Sequence, residues 1–257
     1  ELSGKVIADP NATDHHFFEE DDNIKLLEYL GSKMRFVAMN TRQKPLDDVR
    51  VRRAIAYGVN RDDYVTVVFE GNAKPHYNYL HPTNDYYIDG PMGGFEYNPE
   101  KAKNLLAEAG YPNGVKIPLI GPQENIFMAI NSVFQAQMAE IGIDLDVQNL
   151  EVATFISSTE GGNFTMCTDY TAQFFNGLDR LMRIQFYAAP GKINFFGQSH
   201  PRLNELVELG VKEFDEAKRK EIYTEIQHII FDELCCLVPL TLESLFFGAA
   251  KNLEGLP

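Results

Sequence analysis

The sequence predicts an α/β fold in which helices alternate with strands and part of the sheet is parallel. Apolar residues recur at helical spacing after Asp48, and they do so again through residues 125–143. Directly after that second stretch, "IDLDVQNL" (143–150) alternates apolar and polar residues as a strand does. A strand that follows a helix of ten or more residues can return parallel to an earlier strand, so we expect some parallel pairs.

The first predicted strand is "MRFVAMNT" (34–41). In a strand, successive side chains point to opposite faces of the sheet. Phe36 and Ala38 should therefore face one side, and Val37 and Met39 the other.

A short segment with a proline leads from this strand to the first predicted helix, which Asp47 or Asp48 can cap. The buried stripe of this helix consists of Val51, Ala54, Ile55, Gly58 and Val59. Off the stripe lie Arg50, Arg52, Arg53 and Arg61. We interpret these arginines as scaffold that pairs with neighbouring acids and with carbonyls of adjacent turns.

Further elements follow in the same alternation. A helix over 97–114 has Asn98 as its N-cap, Pro99 as its first residue and Gly110 as its stop, and a strand follows at 116–121. The C-terminal part predicts helices over 200–214 and 215–234 and a buried strand from 235 to 242. No flexible linker divides the chain, so we predict a single domain.

Charge and composition exclude two classes of partner. The chain has 37 Asp and Glu against 23 Lys and Arg, a formal net charge of −14. Nucleic acids and anionic lipids require basic surfaces, so neither is expected to bind. No apolar run approaches the roughly 20 residues that a membrane-spanning helix needs. Cys167, Cys235 and Cys236 form no disulfide pattern and are expected to be buried thiols.

The sequence offers little for an enzyme. The glycine-rich stretch 89–99 lacks the lysine of a phosphate-binding loop, and His15 and His16 are adjacent, so their side chains point apart. The acids at 19–22 form a run of like charges, unlike a catalytic pair with separated pKa values. We therefore predict a binding protein without a cofactor, a metal or enzymatic activity.

Residues 163–197 are rich in aromatic side chains and follow neither the helical nor the strand period. Apolar area combined with a few fixed charges is what a ligand-binding surface needs. A core strand and helix with weak patterning would give the same composition. Both interpretations stay open at this point.

The order of four sequence blocks resembles that of the family 5 extracellular solute-binding proteins. The first block, 36–75, has Asn40 at the end of a strand and Pro45 before "DVRVRRAI" (48–55). The other three blocks lie at 97–114, 135–151 and 194–240. Together they cover most of the chain.

This resemblance implies a receptor of an ABC importer, whose two lobes close around a solute. Residues 1–257 would form the second lobe, a periplasmic-binding-protein type II-like lobe with a mixed sheet flanked by helices, and the other lobe would not be part of this sequence. The expected partners are a short peptide or similar small polar solute and an ABC permease. The receptor would act as a monomer outside the cytoplasm, either periplasmic or as a cell-surface lipoprotein.

The resemblance also implies a ligand anchor. In peptide-binding relatives an aspartate in the aromatic-rich segment holds the free α-ammonium, and an ammonium in a closed cleft needs such a counter-charge. The spacing to Asn194 makes Asp179 the first choice and Asp169 the second. The remaining candidate residues, for a ligand carboxylate and for packing, are Arg180, Arg183, Tyr170 and Phe174.

Three alternatives stay open. A receptor of the same family could bind a metal chelate of the nickel type or a glycan, and it would not need the charge of Asp179. The lobe could instead sense a ligand in a regulator, although no segment is basic enough to bind DNA. A metal-dependent hydrolase would use His15, His16 and the nearby acids, and chelation would abolish its activity.

Overall fold

A mixed sheet forms the centre of the structure. The computed structural model describes residues 6–9, 22–172, 182–183, 185–187 and 194–251. The strands are β1 Val6–Asp9, β2 Ile24–Met39, β3 Ala73–Pro75, β4 Val115–Pro122, β5 Ile143–Leu150, β6 Met166–Ala172 and β7 Leu237–Ala250. They lie in the order β1-β7-β2-β6-β4-β5, and β3 pairs with β7.

Helices cover both faces of this sheet. They are α1 Val49–Tyr57, α2 Arg61–Asp63, α3 Pro99–Glu108, α4 Asn125–Glu140, α5 Val152–Glu160, α6 Pro201–Lys212 and α7 Glu216–His228. A π-helical turn, Tyr64–Val68, extends α2, and another, Ile229–Leu234, extends α7. Side chains of α1, α3 and α4 belong to the core on one face, and those of α5, α6 and α7 to the core on the other.

The sheet has a parallel part and an antiparallel part. β4 runs parallel to β5 and β6, whereas β2 runs antiparallel to β6 and β7. The crossover through α4 is long enough to make β4 and β5 parallel. The predicted α/β class with a mixed sheet and flanking helices is confirmed.

Most predicted elements are present, and several differ in length. Asp48 caps α1, Asn98 caps α3, and β5 covers the predicted residues 143–150. β2 and β7 are longer than the predicted strands at 34–41 and 235–242. β2 and β7 pair with each other over most of their length. This pairing holds residues in strand conformation although their own apolar pattern is weak.

The alternation of β2 predicts its packing correctly. Val37 and Met39 enter the core beneath α1, α3 and α4, whereas Phe36 and Ala38 enter the opposite core. The predicted helix over 215–234 is less regular than expected, because its last six residues form the π-helical turn and Cys235 after it has a left-handed backbone (φ 44°).

Several elements were not predicted, among them β1, β3, α2, α5 and β6. α5 lies between β5 and β6, and β6 occupies part of the segment 163–197, for which a clear period is missing. β6 has the sequence "MCTDYTA" and lies between β2 and β4, so this part of the segment is a central strand and not an irregular surface. Polar residues on both of its faces, such as Thr168 and Asp169, conceal the strand period.

Arg52 and Arg53 of α1 donate to backbone carbonyls of the segment before α1 and of the distant π-helical turn Ile229–Leu234. Arg52 is buried, and its Nε and Nη1 donate to the carbonyl oxygens of Leu234 and Leu46, each at 2.7 Å. Arg53 donates to the carbonyl oxygen of Asp232 at 2.7 Å. Two of these three carbonyls belong to the π-helical turn, where intrahelical partners are missing. The interpretation of these side chains as scaffold is confirmed.

The three thiols are buried, as predicted. Burial raises the pKa of Cys235 and Cys236 to about 12 and that of Cys167 well above its usual value. Each thiol is therefore uncharged at neutral pH and packs as a small apolar group.

Arg61, which is only 5% exposed, is the arginine of this scaffold on which a test can be based. Its Nε donates to the carbonyl oxygens of His76 at 2.9 Å and Pro239 at 2.8 Å. The guanidinium also lies 4.3 Å from the ring centre of Tyr77. One side chain thus joins α2 to two other segments of the fold.

Replacing Arg61→Met should lower the free energy of unfolding by about 3 kcal/mol, because two buried carbonyls lose their donor. Arg50→Met is the matched control: its guanidinium is exposed, and the expected loss is much smaller. Equilibrium urea unfolding at pH 7 measures both. Equal losses in the two variants would contradict the structural role of Arg61.

Candidate functional site

The carboxyl ends of β4 and β6, together with the first turn of α4, form the candidate site. In open α/β sheets this edge is where ligands bind. Leu119 of β4 lies opposite Met166 of β6 in parallel register, so both strands continue towards the same edge. Asp169 and Tyr170 lie on the part of β6 that extends beyond this pairing.

Asp169 is half-buried and has few hydrogen-bond donors. Its Oδ1 accepts one hydrogen bond, at 2.8 Å, from the backbone N–H of Tyr170, and the described residues supply no other. Burial raises the pKa of Asp169 to about 6, although that hydrogen bond and Arg35 act in the opposite direction. A carboxylate in such surroundings gains stability when a cation binds to it.

Tyr170 contacts Arg35, the residue opposite it on β2. Arg35 is only 5% exposed, and its Nε donates to the carboxylate of Glu243 in a buried ion pair. Its guanidinium carbon lies 4.6 Å from the ring centre of Phe127 and 5.0 Å from that of Tyr170. We call these four residues the Arg35 cluster.

In the Arg35 cluster, the rings of Phe127 and Tyr170 are inclined to each other and form the two walls of a corner. Their centres are 6.2 Å apart, which is too close for the guanidinium to lie between them. The guanidinium therefore lies against both rings from one side, an arrangement that favours a cation. Phe127 is fully buried, whereas Tyr170 is 44% exposed, so one side of the corner is fixed and the other borders solvent.

Asp169 and the Arg35 cluster lie on opposite faces of one strand end. Successive residues of a strand point to opposite faces, so Asp169 points away from the face on which Tyr170 packs against α4. Arg35 lowers the pKa of Asp169, whereas Glu124 raises it. The positive charge of Arg35 is already balanced by Glu243. The carboxylates of Asp169 and Glu124 therefore make this edge of the sheet favourable for binding a positively charged group.

A network of side-chain amides fixes the strands beneath the site. Thr168 Oγ1 donates to Asn131 Oδ1 at 2.7 Å, and Asn131 Nδ2 donates to Asn149 Oδ1 at 2.9 Å. Gly121 allows this contact, because a Cβ there would lie 2.5 Å from Asn131 Nδ2. The network links β5 and β6 to α4 and so holds the strand ends in place.

Of the predicted site residues, Asp169 and Tyr170 are brought to this edge. Arg183 is in a different environment: its Nη2 donates to Glu208 of α6 at 3.0 Å, so the guanidinium already has a carboxylate partner. The remaining three predicted residues, Asp179, Phe174 and Arg180, lie outside the described residues.

The Arg35 cluster was not predicted from the sequence. Arg35 is the charged residue within "MRFVAM", and Glu243 is the charged residue within "LTLESL". A charge inside a strand that is otherwise apolar on both faces has to be paired, and this signal could have identified the two residues.

A metal centre and a membrane span were also sought in the described part of the chain. It contains no group of three or more His, Cys, Asp or Glu side chains placed to hold a metal ion, and His15 and His16 lie outside it. None of the helices described has the length and apolar character that crossing a membrane requires.

Comparison with known sequences identifies relatives. The family model described as bacterial extracellular solute-binding proteins, family 5 Middle, matches residues 2–192. The dipeptide-binding protein of Escherichia coli (strain K12) is 27% identical over 260 residues, which cover 98% of this chain and 48% of that protein. The glutathione-binding protein GsiB of Shigella flexneri serotype 5b is 28% identical over 247 residues, with coverages of 92% and 48%.

Solved structures show the same fold. DppA from Helicobacter pylori, in complex with the peptide STSA, matches with a TM-score of 0.83 and 26% identity over 97% of this chain and 49% of that one. The PBP AgaA from A. tumefaciens R10, in complex with agropinic acid, gives a TM-score of 0.83 and 25% identity over 96% and 50%. NikA from Brucella suis, in complex with Fe(III)-EDTA, gives 0.81 at 19% identity and supports the fold alone.

The predicted fold of a periplasmic binding protein is thus confirmed, as is the family resemblance. The chain spans about half the length of the curated relatives it matches. Since the family model covers 2–192 of the 257 residues, the chain belongs to the bacterial extracellular solute-binding proteins, family 5.

Proposed function

We propose that this chain forms one wall of the cleft of an ABC-importer receptor that captures short peptides and delivers them to the membrane permease. The observation that carries this proposal is the half-buried carboxylate of Asp169 at the carboxyl end of β6, with one backbone donor and a pKa raised to about 6. An α-ammonium of a peptide would supply the charge partner that this carboxylate lacks.

The chemistry of the edge supports an ammonium over an anionic group. Glu124 adds negative charge near Asp169, and the positive charge of Arg35 is balanced by Glu243. A ligand ammonium would donate to the carboxylate of Asp169 in a region with limited access to water, where such a pair is stronger than in solution. The receptor would therefore bind the solute without changing it chemically.

The names of the relatives agree with this class of solute. One is a dipeptide-binding protein, another is a glutathione-binding protein, and a solved relative holds the peptide STSA. We infer that residues 1–257 are the second of two lobes and that a first lobe completes the cleft. The whole receptor would work as a monomer outside the cytoplasm.

In the complete receptor, Asp169→Asn should weaken binding of the dipeptide Ala-Phe by about 30- to 5,000-fold, because the ammonium loses its counter-charge (about 2–5 kcal/mol). Isothermal titration calorimetry at pH 7.5 measures this affinity. N-acetyl-Ala-Phe, which has no ammonium, should bind weakly to the unaltered receptor.

Asp179→Asn is the competing variant, since Asp179 remains the other candidate anchor. A large loss there with no loss in Asp169→Asn would move the anchor to Asp179. If the unaltered receptor binds neither dipeptides nor longer peptides, the proposed solute class is wrong.

Asp169→Asn should also stabilise the protein without ligand. The pKa of Asp169 is about 6 in the folded state, above the value of 3.8 for a free side chain, so ionisation at pH 8 opposes folding. The variant should gain about 2 kcal/mol at pH 8, and the gain should shrink as pH falls through 6 towards 4, where the native carboxyl becomes protonated in both states.

Urea unfolding of the ligand-free protein at several pH values measures this difference. Asp144→Asn, on an exposed position of β5, is the control and should change stability little at any pH. A destabilised Asp169→Asn at pH 8 would show that the carboxylate has a structural role and would oppose its assignment as an anchor.

A further inference from the structure

Arg35 has a buried hydrogen-bond donor that the described structure leaves unused. Its Nε is engaged with Glu243, but Nη1 is buried and has no hydrogen-bond partner among the residues described. Buried polar groups are nearly always hydrogen-bonded, so an unpaired donor on a charged side chain needs an explanation. Family membership does not supply one.

A second unpaired group lies beside it. Thr241 of β7 is in register with Arg35 of β2, and its Oγ1 is also buried and bonds to no residue in the described part of the chain. Directly opposite residues of antiparallel strands have adjacent side chains. Two unpaired polar groups on neighbouring strands mark this point as a place where a polar atom from outside the chain would be stabilised.

Tyr170 is the described side chain that can uncover this point. Its ring lies 5.0 Å from the guanidinium carbon and is 44% exposed. Its hydroxyl forms no hydrogen bond with any described residue, and its ring contacts the guanidinium of Arg35 and the tilted ring of Phe127. Rotation of an exposed aromatic side chain is fast, whereas Phe127 on the other wall is fully buried.

We propose that Arg35 is a solute-binding residue: when Tyr170 turns aside, Arg35 Nη1 donates a hydrogen bond to the carbonyl oxygen of the first peptide bond of the solute. This inference rests on the proposed function, since it requires a peptide anchored at the same strand end. Arg35 would read the backbone and not the side chains, so it would contribute affinity for peptides of many sequences.

The charges favour a neutral acceptor at Arg35. Glu243 already balances the guanidinium, and Asp169 and Glu124 add negative charge at this edge. A carboxylate of the solute would meet an environment that is negative overall, whereas a carbonyl oxygen would accept the hydrogen bond without adding charge. The role of Arg35 therefore differs from that of an arginine that receives a C-terminal carboxylate.

A double-mutant cycle with a modified ligand tests this role in the complete receptor. The ligands are Ala-Phe and its analogue with a trans carbon–carbon double bond in place of the peptide bond, which has the same shape but no carbonyl oxygen. The variant is Arg35→Met with Glu243→Gln, which removes the ion pair without leaving a charge unpaired. Glu243→Gln alone is the matched control and retains Arg35.

The unaltered receptor and Glu243→Gln should bind Ala-Phe at least tenfold more tightly than the analogue. In the double variant the two affinities should come within about threefold of each other, because the donor is gone. The same ratio in all three proteins would overturn the role of Arg35 while leaving the proposed function intact. Failure of the unaltered receptor to bind Ala-Phe would instead reject the proposed function, and the role of Arg35 with it.

Folding of the variants is verified by circular dichroism and thermal unfolding. If the double variant does not fold, Arg35→Leu with Glu243→Leu replaces it, since two apolar side chains leave neither a buried charge nor a donor at this point. It should show the same reduced discrimination between the two ligands. Full discrimination by this second double variant would then count against the proposal.

Discussion

A charged group that leaves water needs a partner inside the protein, and this constraint organises both the scaffold and the candidate site. The sheet is covered on both faces, so charged residues of its central strands are withdrawn from solvent. Arg52 and Arg61 meet the requirement by bonding to backbone carbonyls, and Arg35 meets it with Glu243 and two aromatic rings. Asp169 meets it only in part, with one backbone N–H.

Arg61 and Asp169 differ in how fully their charges are satisfied within the fold, and this difference distinguishes a structural charge from a candidate binding group. Arg61 makes several hydrogen bonds within its own fold, so a ligand could add little to it. Asp169 carries a charge that burial disfavours, so a cationic ligand would relieve an existing cost. With Asp169 as the proposed anchor, stability and binding would oppose each other at one side chain, as is common at functional sites.

Sequence reasoning recovered the layers of the fold because their helices have caps and apolar stripes, as Asp48 and Asn98 show. It did not recover β6, which contains the polar residues Thr168, Asp169 and Thr171. This segment is a strand because it pairs with β2 and β4, and no local pattern reveals those partners. Asp169 is the second choice of anchor because the spacing to Asn194 favours Asp179, which lies outside the described residues. The Arg35 cluster joins residues from β2, β6, β7 and α4, so only the tertiary structure brings it together.

The three buried thiols have a practical consequence. Only a thiolate reacts readily with alkylating reagents, and burial keeps Cys167, Cys235 and Cys236 protonated and out of contact with solvent. Cys235 belongs to the core on one side of the sheet and Cys167 and Cys236 to the core on the other. The natural sequence therefore contains a chemical reporter for each layer, and the order in which the thiols become labelled would reveal which layer separates from the sheet first.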